Sequence, residues 1–586
     1  MLNSHVIKAK TRETAALLLI ALWFLPLLSA CRKAKRWTEE QGEVEQRWKP
    51  DSTVTIVGLS AEAIRSALEA TLAAPRPPLI RDAEWKSVRS LYRTYGDVLL
   101  WLPNGTPDAR AQALVSEIAK SPTHGLRVKD LPIPALNQAL QALRNAEHPT
   151  AEQVAEADVL MSATYAALAH DLLSGQIDPS SLSQDWHINP NKVDVDSALA
   201  QRLQLEPLDR AIAQLRPADP DYDALREQLE HYRALRDSGG WTRVADGRAL
   251  KPGEAESRTR LQALLNRLKA EGYLAPDAVL AEPNGAQGTD TTRAAYDATL
   301  AGAVASFQAH HGIVVDSILG TETVASLNVP VSYRLGQLAA NLERFRWLPR
   351  DFGSRYILVN VPGFRLDAYD SGKKVLEMKV IVGAEYENRN TPVFSDSMQY
   401  VVFRPYWLVP DAIAAKGIWP KAQNDSTYLA RNSYETYTDH GQTRVRQLPG
   451  GKNALGFVKF MFPNDFNIYL HDTPQGDLFA KDIRAFSHGC IRVEQPRELA
   501  EWVLGWSPDR VEGAMTAGPD NKTVNLPRKI PVYIVYLTTY MRDGELYFGN
   551  DLYDRDDALV KQLADGATPT ADELRELQEL QRLTAP

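Results

Sequence analysis

The order of apolar and polar residues divides the chain into a helical first part and a strand-rich later part. From Trp85 to about Arg236, apolar residues recur at spacings of three and four, for example along Val154–Met161, and this period predicts amphipathic helices. The segment shows no cluster of acids, bases or nucleophiles. We therefore interpret residues 85–257 as a helical scaffold domain that follows a polar linker at 31–84.

Residues 258–328 predict a small module of three helices. The module resembles the type-one peptidoglycan-binding family, a three-helix fold that binds the cell wall, and the matching positions are Phe307-Gln308, Gly312, the turn Asp316–Gly320 and Thr323. An insertion at Glu282–Thr292 lengthens a loop of that family. The adjacent pair His310-His311 points in different directions on a helix, so we interpret both as surface or core residues and not as metal ligands.

After Pro330 the pattern changes to an alternation with a period of two, which predicts a β-sheet. The predicted strands are Tyr356–Pro362, Phe364–Tyr369, Val375–Val382, Gln399–Phe403, Phe457–Phe460, Phe466–Leu470 and Ile530–Leu537. A helix is predicted at Glu498–Leu504. Residues 331–541 are therefore expected to form a mostly-β domain of catalytic type, within a multidomain α+β protein.

Two further segments complete the expected organisation. The strand signal stops between Trp407 and Asn453, where prolines and polar residues accumulate, and we predict an inserted lid over a cleft. The tail at 542–586 carries leucines at helical spacing amid charges, and it predicts a packing helix. These leucines are Leu574, Leu577, Leu580 and Leu583.

The N-terminus has the pattern of an export signal over residues 1–30. Basic residues precede the apolar stretch Ala15–Leu28, and small residues follow it. Leu28-Ser29-Ala30-Cys31 resembles a bacterial lipobox, whose cysteine is acylated after cleavage. An uncleaved anchor and ordinary cleavage are the alternatives. The residue after Cys31 is not Asp, and in this the segment resembles outer-membrane lipoproteins. We therefore expect a periplasmic protein that is held at the membrane by its N-terminus.

Composition narrows the class of protein. The chain has 586 residues, of which 44% are hydrophobic and 24% charged, and these values fit a globular protein of two to four domains. A net charge of −8 gives no basic footprint, so nucleic acid is not an expected partner. The two cysteines, Cys31 and Cys490, exclude a disulfide scaffold and a cysteine-rich zinc site.

The candidate chemistry lies around Cys490. Ser487-His488-Gly489-Cys490-Ile491-Arg492 follows His471-Asp472-Thr473-Pro474, which ends a predicted strand. A thiol attacks an acyl carbon as its thiolate, and a nearby imidazole can take the proton. His488 lies two residues from Cys490, and His471 arrives from another strand. From these residues alone, a structural cysteine and a nucleophile are equally open.

The region resembles the YkuD-type catalytic domain of L,D-transpeptidases, whose signature is a histidine, a spacer and S-H-G-C-x-R. The longer matching string comprises Leu448–Gly450, Asn453–Gly456, Val458–Phe460, Phe462–Asn464 and Tyr469–Pro474. Together with the helical region, the module and the lid, the chain resembles the large YcbB-like subfamily of Gram-negative bacteria. The resemblance covers roughly residues 85–540.

The resemblance implies roles for individual residues. Cys490 would be the nucleophile and His471 the general base, with Asp472 orienting the second ring nitrogen through its backbone carbonyl. A side-chain role for Asp472 and a plain strand-end role remain open. The resemblance implies that His488 and Gly489 shape the pocket and that backbone N–H groups near Gly489 and Cys490 hold the oxyanion. Arg492 is implied to bind a carboxylate or to act as a structural strut. Ser487 is a donor or a turn residue, and Tyr406 and Trp407 wall the cleft or pack in a core.

The resemblance also implies a reaction. The thiolate would attack the diaminopimelate–D-Ala bond of a peptidoglycan tetrapeptide stem, and a diaminopimelate amine of a second stem would resolve the thioester. Stem peptides and glycan are the expected partners, no metal or organic cofactor is required, and a carbapenem should acylate Cys490. The alternatives are an L,D-carboxypeptidase that hydrolyses the same bond and a non-catalytic wall-binding scaffold. Intact His471, His488, Cys490 and Arg492 argue against the last.

Overall fold

The structure is a computed structural model that describes residues 45–46, 48–49, 56, 58–182, 186–188, 193–283, 291–384 and 390–585. The predicted export signal and Cys31 lie outside these residues. Buried apolar side chains form four clusters, which correspond to the scaffold, the small module, the strand-rich domain and the lid. Within the described residues, no helix is both long enough and apolar enough to cross a membrane.

The scaffold is helical, as the sequence predicts. Its helices are α1 Ala61–Ala73, α2 Asp82–Tyr95, α3 Ala109–Ala119, α4 Ile133–Asn145, α5 Ala151–Ser174, α6 Val195–Leu203, α7 Leu208–Ala213 and α8 Pro220–Asp237, with a two-stranded pairing of β1 Glu45–Gln46 and β2 Leu205–Glu206. The central helix α5 begins with a capping box, in which Thr150 and Gln153 satisfy each other's backbone N–H groups, and it is apolar on most sides. Helix α1 packs in the same core, so the predicted linker at 31–84 extends too far and the domain begins before residue 85.

The small module has the three predicted helices, α9 Arg258–Ala270, α10 Ala298–His310 and α11 Thr321–Leu327, and a short pairing of β3 Ala255–Ser257 with β4 Arg293–Ala295. The buried Gln308 holds the turn at Asp316–Gly320 through its side-chain amide. Its amide nitrogen donates to the Asp316 carboxylate (2.8 Å) and the Thr323 hydroxyl (3.0 Å), while its oxygen accepts from the Ser317 N–H (2.9 Å). Among the described residues no group of His, Cys, Asp and Glu is placed to hold a metal ion. His311 is buried against Phe307, with ring centroids 3.8 Å apart.

The strand-rich domain contains a nine-stranded sheet. Its strands are β5 Arg355–Asn360, β6 Arg365–Asp370, β7 Lys373–Gly383, β8 Phe394–Phe403, β12 Val458–Met461, β13 Leu470–His471, β14 Ala485–Ser487, β15 Ile491–Val493 and β16 Lys522–Val535. They are paired in the order β14-β7-β15-β13-β12-β8-β16-β5-β6, and β6 also pairs with β7, which closes the sheet on itself. Helices α16 Pro496–Leu504 and α17 Pro508–Thr516 lie between β15 and β16. The predicted strands and the predicted helix at 498–504 are thereby confirmed, apart from the segment around Phe466.

Two expectations for this domain are wrong. The residues after Pro330 form helix α12, Val331–Trp347, and not a strand. Its buried charges, such as the ion pair of Arg346 with Glu343 at 2.5 Å, interrupt the apolar pattern that would have indicated a buried helix. The strand predicted at 466–470 shrinks to β13, because the Asn464 side-chain oxygen accepts the N–H groups of Phe466 (3.0 Å) and Ile468 (3.2 Å) and holds them in a turn.

The lid at 407–453 has its own strands and core, so the expectation that strand structure stops there is wrong. It contains β9 Trp407–Leu408, β10 Tyr434–Asp439 and β11 Gln442–Gln447, with the short helices α13 Asp411–Ile413, α14 Trp419–Asn424 and α15 Tyr428–Arg431 and a π-helical turn at Ala414–Ile418. The fully buried Asn453 joins the two ends of the lid, because its amide donates to the carbonyls of Pro405 (3.0 Å) and Leu448 (3.0 Å).

The tail forms a hairpin of β17 Thr539–Arg542 and β18 Glu545–Phe548, then helices α18 Asp557–Ala567 and α19 Ala571–Thr584. Helix α19 packs on the scaffold: Leu577, Leu580 and Leu583 belong to the scaffold core, whereas Leu574 remains 42% exposed. The hairpin contacts the small module, where His310 Nε2 lies 3.0 Å from the Glu545 carboxylate. The chain therefore returns to its N-terminal domain at its C-terminal helix.

Candidate active site

The register of three neighbouring strands places five polar side chains on one face of the sheet. His471 on β13 is opposite Lys459 on β12 and opposite Arg492 on β15. Tyr469 and Cys490 precede β13 and β15 by one residue and lie on the same face: the Tyr469 ring centroid is 5.7 Å from that of His471, and Tyr469 hydrogen-bonds Cys490. The Ile491 N–H donates to the Tyr469 carbonyl at 3.1 Å, so the pairing extends to those positions.

His471 is held as a neutral imidazole. Its ring is 5% exposed, and Nδ1 lies 2.6 Å from the backbone carbonyl oxygen of Asp472. A carbonyl only accepts, so Nδ1 carries the proton and Nε2 keeps its lone pair. Burial, together with the nearby charge of Arg492, lowers the pKa of His471 to about 3.

The Asp472 side chain holds the segment that returns from the lid. Its carboxylate accepts the N–H groups of Phe457 (2.8 Å) and Thr473 (2.6 Å). Gly456 has a φ of +60°, and a Cβ there would lie 2.2 Å from Asp472 Oδ2. Asp472 therefore contacts His471 through its backbone and the lid segment through its carboxylate.

Cys490 is half-buried, and its thiol donates to the Asn467 carbonyl with a sulfur–oxygen distance of 3.6 Å. Burial raises the pKa of the Cys490 thiol to about 11, while hydrogen bonds from Tyr469 and the charge of Lys459 oppose that rise. Since His471 is also neutral, the resting pair is a thiol and an imidazole and not an ion pair.

Residues 487–490, which we call the thiol turn, are fixed by hydroxyl groups. Gly489 has a φ of +109°, which favours glycine, and its N–H donates to Ser487 Oγ at 3.2 Å. The Thr391 hydroxyl donates to the Gly489 carbonyl at 2.9 Å. Ser487 is therefore a turn residue here, and the Gly489 N–H is engaged within the turn. The His488 side chain is exposed.

Arg492 carries a positive charge beside the thiol. Its Nη1 donates to the neutral Gln475 side chain at 2.6 Å, and within the described part of the chain it makes no ion pair. Burial lowers the pKa of Arg492. A half-buried guanidinium without a carboxylate partner suits the binding of a substrate carboxylate.

Tyr406 and Trp407 lie at the base of the lid. The Arg446 guanidinium carbon lies 4.4 Å from the centre of the Tyr406 ring, and Trp407 packs against the small core of the lid. These packing contacts account for the positions of both side chains.

Sequence reasoning missed four residues of the site: Lys459, Tyr469, Thr391 and Asn467. The two-residue period could have found Tyr469, because it precedes His471 by one strand repeat. Lys459 required the pairing of β12 with β13, which no local pattern shows. Thr391 and Asn467 act through hydrogen bonds to the thiol turn and depend on the tertiary fold.

Three segments of the chain match known families. Residues 354–534 match the L,D-transpeptidase catalytic domain of the YkuD family. Residues 255–327 match a family described as "Putative peptidoglycan binding domain", and residues 86–229 match a scaffold domain. The site thus lies on a YkuD-type L,D-transpeptidase catalytic domain. The whole chain is a multidomain protein in which this domain is joined to a scaffold domain and a peptidoglycan-binding domain.

One curated relative and two solved structures are similar to parts of the chain. A protein of Haemophilus influenzae described as "Putative L,D-transpeptidase" is 34% identical over 242 residues, which cover 38% of this chain and 48% of that relative. The match therefore spans about half the length of the curated relative. The solved structures of L,D-transpeptidase 1 from Mycobacterium tuberculosis and of an L,D-transpeptidase from Xylanimonas cellulosilytica are each 14% identical, with a TM-score of 0.15. They cover 31% and 50% of this chain and 61% and 99% of their own.

Proposed function

We propose that this protein is a peptidoglycan L,D-transpeptidase of the YcbB-like subfamily, with Cys490 as its nucleophile and His471 as its base. The observation that carries the proposal is the neutral, oriented imidazole of His471 on the same sheet face as Cys490, within a YkuD domain. An imidazole with a free Nε2 is the group that acyl transfer by a thiol requires.

The reaction begins with a tetrapeptide stem whose diaminopimelate–D-Ala bond lies over Cys490. The sulfur attacks the carbonyl carbon while its proton passes to His471 Nε2, and the carbonyl oxygen takes the negative charge. The bond to D-Ala then breaks, and the leaving amine takes the proton from His471. A thioester between Cys490 and the stem remains.

The second half of the reaction uses the amine of a diaminopimelate on another stem. The amine attacks the thioester carbonyl, His471 takes its proton, and the sulfur leaves and recovers a proton. The product is a direct link between the third residues of two stems. Arg492 and Lys459 carry positive charge on the same sheet face, where they would stabilise the stem carboxylates and the developing anions.

The domain composition supports a location at the cell wall. The peptidoglycan-binding domain at 255–327 would hold the enzyme on its glycan, and the predicted export signal with Cys31 would hold it at the membrane, as a periplasmic lipoprotein. Wall binding and membrane attachment are independent of the chemistry at Cys490.

The test uses the purified full chain with disaccharide-tetrapeptide and identifies the products by mass. We expect a cross-linked dimer that has lost one D-Ala, and we expect Cys490→Ala to lower its rate by about a thousandfold or more. The exposed lid variant His440→Ala is the control and should keep the wild-type rate. A shortened tripeptide without dimer would assign hydrolysis instead, and unchanged dimer formation by Cys490→Ala would reject the proposal.

A further inference from the structure

Three residues of the scaffold domain, Trp186, His187 and Ile188, lie on the catalytic domain, and we call them the scaffold strip. Trp186 forms a parallel β-bridge with Val393, and the His187 N–H donates to the Val393 carbonyl at 2.6 Å. The Ile188 side chain is 2% exposed within the core of the catalytic domain. The strip is thus packed into that domain although it belongs to the scaffold sequence.

The exposed His187 side chain packs on the aromatic ring of Phe466, the residue before Asn467. Its ring centroid lies 4.5 Å from that of Phe466 at an interplanar angle of 39°. Phe466 also contacts Phe394, with centroids 5.0 Å apart. Phe466 is therefore held between a scaffold residue and a strand of the sheet.

Phe466 is followed by the residue whose carbonyl accepts from the thiol. Asn467 has a φ of +56°, a left-handed conformation that few residues other than glycine adopt readily, and its carbonyl oxygen lies 3.6 Å from Cys490 Sγ. The Asn464 side chain fixes the rest of this turn through the N–H groups of Phe466 and Ile468. The direction of the Asn467 carbonyl thus depends on how Phe466 is packed.

The scaffold strip is also connected to the thiol turn through a second set of contacts. Val393, which pairs with the strip, lies two residues from Thr391, whose hydroxyl donates to the Gly489 carbonyl at 2.9 Å. The same hydroxyl accepts the Gly383 N–H at 3.0 Å. The strip therefore borders both segments that hold Cys490, the turn at 464–468 and the segment at 391–393.

We propose that the scaffold domain takes part in the active site, with His187 as a positioning residue that holds the Phe466–Asn467 turn against the Cys490 thiol. This rests on the proposed function of Cys490 as the nucleophile. A carbonyl that accepts from the thiol fixes the direction of the sulfur and stabilises the protonated form. Loss of the His187 ring lets that carbonyl move away, so the thiol ionises at lower pH and is less well aligned for attack.

The other groups facing the thiol do not change with His187. These groups are Lys459 on β12, Tyr469 and His471 at β13, and Arg492, which follows Cys490 by two residues. A shift in the ionisation of Cys490 on replacing His187 is therefore attributable to the Asn467 carbonyl.

The test compares His187→Ala and His187→Phe in the full chain, with His148→Ala, an exposed scaffold histidine between α4 and α5, as the control. Alkylation of Cys490 by iodoacetamide is followed against pH on the Cys490 peptide by mass, and kcat and KM are measured for cross-linking. We expect His187→Ala to move the alkylation profile to lower pH and to reduce kcat by about two- to tenfold at constant KM. His187→Phe keeps an aromatic ring and should retain both wild-type values.

Phe466→Leu tests the same contact from the other side and should shift the alkylation profile in the same direction. If the His187→Ala protein does not fold, the alkylation profile and kcat of Phe466→Leu test the proposal in its place. Wild-type alkylation profiles and kcat in either folded variant would overturn the proposal. Alkylation requires no peptidoglycan substrate, so it can support the positioning role even where cross-linking fails and the proposed function is wrong.

Discussion

At the scale of single residues, the site combines two opposite pKa shifts with one cause. Burial lowers the pKa of His471 to about 3 and raises the pKa of Cys490 to about 11. Both shifts favour the uncharged form, because a protein interior solvates ions poorly. The enzyme proposed here therefore rests with an unreactive thiol, and the approach of the substrate must promote the proton transfer.

This resting state predicts an unusual pH dependence. Between about pH 3 and about pH 11 both groups remain neutral, so kcat/KM should be nearly flat across the neutral range. Iodoacetamide reacts with the thiolate, so alkylation of Cys490 should still be rising above pH 9. The measurement is the alkylation rate of the Cys490 peptide against pH, with free cysteine as the control. A midpoint below pH 7 would indicate a thiolate–imidazolium pair and contradict the prediction.

The motif around Cys490 predicts a chemistry from the sequence because its residues are close along the chain. The partners that set its ionisation are not. Lys459 reaches His471 only through strand pairing, and Asn467 reaches the sulfur only through the turn that Asn464 stabilises. Sequence periodicity shows which face a residue occupies, but it does not show which strand lies alongside.

At the scale of elements, periodicity succeeded where one face of an element is apolar and failed where charges are buried. The first strands of the sheet and the three helices of the small module follow simple patterns. Helix α12 carries Arg344 and Arg346 among its apolar residues, and these pair with Asp556 and Glu343 inside the protein. The Arg344–Asp556 pair joins residues far apart in sequence, and the Glu343–Arg346 pair lies within the helix, so the local pattern looks polar although all four side chains are buried.

The junction between the lid and β12 provides a prediction at this scale. Gly456→Ala places a Cβ against the Asp472 carboxylate in a left-handed conformation, so we expect a loss of about 2–4 kcal/mol in unfolding free energy and a slower acylation. Gly441→Ala is the matched control, because Gly441 has a φ of +79° with open space around its Cβ position, and it should cost about 1 kcal/mol. Denaturant unfolding measures both. Equal losses for the two variants would show that the Asp472 contact contributes nothing.

At the scale of the whole molecule, the scaffold core is built from both ends of the described chain. Leu580 of helix α19 is fully buried among scaffold residues, and the Asn137 side chain donates to the Glu576 carbonyl at 2.9 Å. The tail at 542–586 therefore makes more contacts than the single packing helix expected from its leucines. The hairpin also contacts the small module, and α18 contacts helix α12.

Leucine truncation in α19 tests this arrangement. Leu580→Ala removes a fully buried side chain and should lower the unfolding free energy of the scaffold by about 2–5 kcal/mol. Leu574 lies six residues earlier on the same helix and is 42% exposed, so Leu574→Ala should change the unfolding free energy by less than about 1 kcal/mol. Thermal unfolding compares the variants. A Leu580→Ala protein as stable as wild type would mean that α19 does not complete the core.

The packing of α19 on α4 also has a consequence for how the protein is made. The two partners in the Asn137–Glu576 contact are separated by 439 positions. A ribosome must therefore finish the catalytic domain before the scaffold can acquire helix α19, so the scaffold cannot reach its final form until the domain that follows it along the chain has been synthesised.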